Sequence, residues 1–329
     1  MTAETSILLA PDAGPGAGGG HVDRMLALAE ELIGSTDVRV LLPGNDAVTR
    51  RATERGVPID RAAMEGADGV LEATHRLRPK VVVLDGYRFD VPCQAELGSM
   101  ARVVIVDDLS QPCAADLLVN PAPGGESYPP APGALRVIAG PSYAIMSRAY
   151  VRARELRAAS REGPHRILMV SGSADIGGIL ADLVSAPELF GVGVDVALGH
   201  GADELAARPG VTFHRSAPDL AGLLAASSMY VGAAGTSAVQ AAAVGVPSVI
   251  SAVVDNQVPQ AQALSDFGAA MLVDRTAGGQ GLAGAAASLL RDPARLQLMG
   301  SRAARMVDGL GAGRVADEVR GLVAAPTRR

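Results

Sequence analysis

The first residue able to do chemistry is a histidine closing a glycine-rich run. Pro11-Asp12-Ala13-Gly14-Pro15-Gly16-Ala17-Gly18-Gly19-Gly20-His21 follows a short apolar segment and leads into a helical pattern. Glycines at a strand-to-helix turn let backbone N–H groups converge on an anion, aided by the helix dipole. The same run could also be an ordinary surface turn. It is not a dinucleotide fingerprint, because the third glycine is missing, and not a P-loop, because no Gly-Lys-Ser/Thr follows. His21 stands where the helix begins, and there the dipole favours the neutral imidazole that a general base needs. Its plain alternative is a hydrogen-bonded turn residue. His75, His165, His200 and His214 show no metal-ligand spacing.

Three loops of the second half have comparable potential. Ser171-Gly172-Ser173-Ala174-Asp175 ends an apolar run. Gly232-Ala233-Ala234-Gly235-Thr236-Ser237 opens a helix that stops at Gly245, with Pro247 beyond. Its free N–H groups and the Thr236 and Ser237 hydroxyls suit a diphosphate, and Gln240, one turn inside, could reach a ribose hydroxyl. An ordinary capped helix would read the same way. Asp255-Asn256-Gln257 is polar where a hydroxyl-rich ligand could sit.

The elements that must position these residues alternate in type. Buried parallel strands are expected at 6–10, 38–42, 81–85 and 103–107, with helices near 21–33, 46–54 and 70–76 between them. Residues 120–132, NPAPGGESYPPAP, cannot be regular structure. A strand at 136–139 and a helix at 145–158 precede a polar linker, 160–165. Strands are then expected at 166–171, 193–198, 211–214, 229–232, 248–251 and 270–273, and helices at 220–226, 237–244 and 257–267. Two or three helices fill 293–324. The fold class is α/β, two doubly wound Rossmann-like domains facing across a cleft. The boundaries expected are 1–158 for an N-terminal domain and 159–310 for a C-terminal domain. A helix over 311–329 could fold back toward the first.

Composition narrows the function classes. The 329 residues carry 29 Lys+Arg against 35 Asp+Glu, a net charge of −6, and only one lysine, Lys80. That balance lacks the basic stripe of a nucleic-acid binder. Cys93 and Cys113 are the only cysteines, so a disulfide framework or cysteine zinc site is not expected and a reducing compartment fits. No apolar run reaches membrane-spanning length, and MTAETSILLAPDAG is too short in its apolar stretch for a signal peptide. The expectation is a soluble, cytoplasmic protein without stable membrane insertion. The scarcity of aromatics, 3% with no Trp, argues against the stacking platforms of a polysaccharide binder. Oligomeric state is not legible.

Taken together, these motifs resemble the GT-B family of nucleotide-sugar enzymes. The nearest likeness is to the UDP-sugar hydrolases of pseudaminic acid biosynthesis, with spore-coat-type and muramyl-peptide N-acetylglucosaminyl transferases more distant. The family's Gly-x-Gly-His-x-x-Arg followed by Leu-Ala appears as Gly18–Arg24 with Leu28-Ala29, and Asp12 stands nine residues before His21. Asp85-Gly86-Tyr87, Val106-Asp107-Asp108-Leu109 and Gly140-Pro141-Ser142-Tyr143-Ala144 match further family motifs in order. The resemblance makes 1–158 the acceptor- and sugar-side domain and 159–310 the nucleotide-sugar-binding domain, and implies His21 as general base with Tyr87 as a neighbouring active-site hydroxyl. It implies a binding set of Asp12, Gly18, Gly20, Arg24, Ser171, Gly172, Ser173, Gly235, Thr236, Ser237, Gln240, Asn256 and Gln257. Asp107 and Asp108 are read as loop-positioning residues, with no metal site and no cofactor beyond a nucleoside-diphosphate sugar as co-substrate. Departures from the hydrolases are Ala10 where they carry Arg, an extra residue in Ser171–Asp175, and Val239-Gln240 for their Trp-Glu.

The preferred expectation is a metal-independent glycosyltransferase moving a sugar to a small-molecule acceptor. A nucleotide-sugar hydrolase using water as acceptor is the alternative, and a silent nucleotide-sugar binding protein is a third reading.

Overall fold

A computed structural model describes residues 5–14, 19–44, 46–62, 64, 66–109, 111–129, 131–159, 165–170, 179–189, 191–198, 209–215 and 219–326. The chain forms two compact units, Met1–Ser147 with Leu310–Arg329, and Arg148–Gly309.

In the first unit, strands β1 (Ile7–Pro11), β2 (Val38–Leu42), β3 (Ile59–Arg61), β4 (Val81–Asp85), β5 (Arg102–Val106), β6 (Leu117–Asn120) and β7 (Val137–Ala139) alternate with helices. The helices are α1 (Gly19–Leu32), α2 (Asp46–Glu54), α3 (Gly66–Leu77) and α4 (Val91–Met100). The strands form one sheet of order β3-β2-β1-β4-β5-β6-β7, parallel throughout. Central strands covered on both faces read as apolar runs, as ILLAP does throughout and VVVLD does up to its last residue, Asp85, every residue of both being buried. Ile7 and Leu9 join the α1 cluster on one face, whereas Leu8 and Ala10 join Val70 of α3 and Cys93 of α4 on the other.

The second unit contains α5 (Ala149–Ala159), β8 (Arg166–Val170), α6 (Ile179–Ser185), β9 (Gly193–Leu198), β10 (Val211–Arg215), α7 (Leu220–Ala226), β11 (Met229–Ala233) and α8 (Thr236–Val244). It continues with β12 (Ser248–Ser251), α9 (Val258–Asp266), β13 (Ala270–Leu272), α10 (Gly278–Leu290) and α11 (Pro293–Met306). Its parallel sheet runs β10-β9-β8-β11-β12-β13. Helix α5 groups with this unit, on the far side of the boundary expected at the polar linker. Its Arg154 donates to Ala243 O at 2.6 Å and Ala304 O at 3.0 Å, near the carbonyl ends of α8 and α11 where cations are favoured. The last helix, α12 (Gly311–Ala324), groups with the first unit, with Val315, Ala316 and Val319 in the α1 cluster.

Both sheets are wound outward from a central pair of strands, β1/β4 in one and β8/β11 in the other. Loops leaving the carboxyl ends of such a pair run in opposite directions and open a crevice, the usual place for a ligand in an open α/β sheet. Among the described residues, no helix is long and apolar enough to cross a membrane.

Candidate active site

In the first unit the crevice lies between the ends of β1 and β4. Pro11 pairs in register with Asp85, and the Asp12 N–H donates to Asp85 O at 2.7 Å, so both strand exits are held together. Helix α1 begins at Gly19 and brings His21, its third residue, over the end of β4. His21 Nδ1 lies 2.7 Å from Oδ1 of Asp85. Arg24, one turn further and therefore on the same helix face, donates to Asp85 through Nε (2.9 Å to Oδ2) and Nη2 (2.6 Å to Oδ1). Because an ionised carboxylate only accepts, a neutral imidazole here carries its proton on Nδ1 and its lone pair on Nε2. The 2.9 Å approach of Arg24 Nη2 to Nδ1 then brings together two donors gathered by one carboxylate.

Charge balance explains why such a cluster survives burial. Asp85 is fully buried and His21 is 9% exposed. Burial alone would push the Asp85 carboxyl up, but the Arg24 guanidinium and the hydrogen bonds from His21 and Arg24 hold it below the ordinary aspartate range. Burial likewise works against the charge on Arg24, and Asp85 outweighs it, keeping the guanidinium protonated above its usual value. A buried carboxylate and guanidinium paired at this distance neutralise each other and leave the imidazole oriented.

Residues just after β4 surround this core. The Tyr87 ring meets the His21 ring edge-on, centroids 5.4 Å apart and planes at 86°, and its hydroxyl donates to Asp108 Oδ1 at 2.7 Å. Asp107 accepts from the N–H groups of Leu109 (2.8 Å) and Gln111 (2.7 Å), fixing the loop that presents Asp108. Burial pushes the Asp107 carboxyl up. Asp12 is tied to Arg88, with Nε at 2.8 Å and Nη2 at 2.6 Å, and accepts from Gly14 N–H at 3.2 Å. Gly86 has φ +149°, and a Cβ there would overlap the Asp12 side chain. Only glycine lets the chain turn between Asp85 and Tyr87 this close to Asp12.

In the second unit the β11–α8 turn ends in Gly235, the N-cap residue of α8, where no side chain caps the helix. The N-terminal N–H groups of α8 therefore keep their capacity for an outside acceptor. Gln260 donates to the carbonyls of Ala234 (2.6 Å) and Gly235 (3.1 Å), and Gln257 Oε1 accepts from Val253 N–H at 3.1 Å. A Cβ on Gly235 would lie 3.3 Å from Gln257 Nε2, so the loop and the glutamine are neighbours. The Ser251 hydroxyl, at the end of β12, is buried and has no hydrogen-bond partner.

The expected residues fall as follows. His21, Arg24, Tyr87 and Asp12 gather at the carboxyl ends of β1 and β4, and Gly20 lies in the first turn of α1. Arg24 holds Asp85 through Nε and Nη2, and Asp12 holds Arg88 through Oδ1, so both shape the site from within. Gly235, Thr236, Ser237 and Gln257 gather around the start of α8, Asn256 is exposed beside Gln257, and Gln240 is buried within the helix. Gly18, Ser171, Gly172 and Ser173 lie outside the described residues. Sequence reasoning left Asp85, Arg88 and Gln260 out of the site. A usable signal existed for Asp85: an acidic residue ending an otherwise wholly apolar buried strand needs a partner. Among the described residues, no group of three or more His, Cys, Asp or Glu could hold a metal ion.

No family model and no curated protein sequence matches the chain. Solved structures do. The spinosyn forosaminyltransferase SpnP is similar with a TM-score of 0.72 at 15% identity, over 98% of this chain and 100% of that one. MurG of Acinetobacter baumannii gives 0.67 at 17% identity, over 96% and 99%. The calicheamicin glycosyltransferase CalG4 gives 0.64 at 15% identity, over 99% and 100%. These likenesses show a fold of the GT-B type.

Proposed function

We propose that the chain is a glycosyltransferase that moves a sugar from a nucleoside-diphosphate sugar to a small-molecule acceptor, without a metal, with His21 as general base. The observation that carries this reading is the His21–Asp85 pair, a buried carboxylate 2.7 Å from Nδ1 that orients the neutral ring with its accepting nitrogen at Nε2. The acceptor hydroxyl gives its proton to Nε2 as its oxygen bonds the anomeric carbon. The bond from that carbon to the diphosphate breaks, and its electron pair leaves with the nucleoside diphosphate. Asp85 stays ionised and stabilises the imidazolium as it forms. In the second unit, the uncapped start of α8 with Thr236 and Ser237 suits the diphosphate, offering N–H groups and a positive dipole end to the charge that develops there. Similarity to named glycosyltransferases supports the reaction class.

A second reading keeps the chemistry and changes the acceptor. His21 is enclosed by Asp85, Arg24 and Tyr87, and an enclosed imidazole suits activation of water, as in the nucleotide-sugar hydrolases that the sequence motifs resemble. One experiment separates the two. The protein is incubated with UDP-, GDP- and dTDP-sugars, with and without a panel of small hydroxyl acceptors. Transfer predicts nucleoside diphosphate release that depends on acceptor and yields a glycoside, whereas hydrolysis predicts free sugar at the same rate without acceptor. Release from no donor would reject both readings.

A further inference from the structure

Beside the His21 cluster, in the first unit, lies a cavity that the reaction as derived does not use. It has a volume of about 30 Å³ and opens to solvent. Among the described residues one wall is apolar, formed by Ala10 of β1, Leu41 of β2, Ala62 after β3, Val70 of α3 and Phe89 after β4, and Asp12 and Arg88 line the other. Ala10, Leu41, Val70 and Phe89 belong to the cluster under α3 and α4, the sheet face opposite the one α1 covers. The cavity and His21 thus sit on opposite sheet faces at the same carboxyl edge, and the segment Gly86-Tyr87-Arg88 runs between them. Tyr87 meets the His21 ring, and the next residue, Arg88, lines the cavity with its partner Asp12. Asp12, in turn, donates its N–H to Asp85.

We propose that this cavity is a subsite for a short apolar group of the acceptor, two or three carbons long, with the Asp12–Arg88 pair at its polar wall meeting the acceptor's next polar atom. The inference rests on the glycosyltransferase reading for what the acceptor is, and on the cavity itself for what it takes. A water needs at least about 10–15 Å³ of such space and two or more polar partners. The room here exceeds one water, while among the described lining residues the charged side chains are those of Asp12 and Arg88. An alkyl chain gains from leaving water and loses no hydrogen bond by entering.

The probe is 1-propanol. Titrated into the methyl-labelled protein, it should shift the Ala10, Leu41, Ala62 and Val70 methyl resonances saturably. Ala62→Leu, which fills the space, should abolish those shifts, and Met64→Ala, which widens the lining, should move saturation to longer alcohols. No saturable shift in the wild type, or equal shifts in Ala62→Leu, would overturn the subsite. Ala62→Leu unable to fold would leave the wild-type and Met64→Ala titrations to decide. With an accepted acceptor, propanol at its own dissociation constant should double the acceptor KM and leave kcat unchanged. Binding without competition would overturn the acceptor assignment. Absence of turnover with every donor would reject the glycosyltransferase reading and leave the titration to judge the cavity.

Discussion

The Nδ1 atom of His21 lies 2.7 Å from Oδ1 of Asp85, a carboxylate with no exposed surface at the end of a central strand. The pair joins the first turn of α1 to the last residue of β4, so strand order alone brings together residues far apart in sequence. Asp85→Asn tests what the carboxylate does. An amide presenting its NH2 group to Nδ1 favours the tautomer with the proton on Nε2, which cannot accept from a hydroxyl. A loss of about 10²–10⁴-fold in kcat is expected, the range for losing general-base catalysis. Nucleoside diphosphate affinity should stay near wild type. Wild-type kcat in Asp85→Asn would remove Asp85 from the mechanism.

Asp85 also links stability to pH. Its carboxyl titrates below the ordinary value of 3.8 in the folded chain. The stability it contributes is therefore fully present above that value and is lost as pH falls through the folded-state pKa. Acid unfolding followed from about pH 5 to 2 should show a steeper loss in wild type than in Asp85→Asn. Identical slopes would mean that Asp85 is not held ionised by Arg24 and His21.

Gly86→Ala should be costly for a residue whose change adds one methyl group. The backbone there has φ +149° and the new Cβ would overlap Asp12. Strain of this kind costs on the order of 1–3 kcal/mol before any steric overlap. Urea unfolding of the variant should show at least that loss, with turnover reduced because Asp12 and Tyr87 both shift. An unchanged midpoint would show that the turn tolerates a side chain.

Tyr87 presents both a ring to His21 and a hydroxyl to Asp108. If the ring is what holds His21, Tyr87→Phe should keep kcat within about tenfold, since one half-exposed hydrogen bond contributes only about 0.5–1.5 kcal/mol. Tyr87→Ala should lose considerably more. Equal losses in the two variants would move the role to the hydroxyl.

Apolar periodicity located the central strands closely: 38–42, 81–85, 193–198 and 248–251 coincide with β2, β4, β9 and β12. Such strands must be apolar on both faces, so their pattern is strong. What escaped lies at the edges or among breakers. β3 is three residues, two half-buried and the last exposed, and β6 (LLVN) runs directly into the proline-rich segment after Asn120. Helix α4 carried readable signals, Asp90 as N-cap accepting from Cys93 N–H at 2.9 Å and Pro92 in the first turn, but its apolar face is weak. At the site, His21 was legible because a glycine run and a helix start are local features. Its anchor was not, because the contact with Asp85 is made by the strand order of the sheet. Arg88 escaped for the same reason: its partner Asp12 belongs to a different loop.

The most direct measurement is nucleoside diphosphate release from a donor panel by wild type and by His21→Ala, with donor binding measured in parallel. The account predicts release by wild type with at least one donor, a drop of about 10²-fold or more in the variant, and nearly unchanged donor affinity. Equal release rates in wild type and His21→Ala would contradict it.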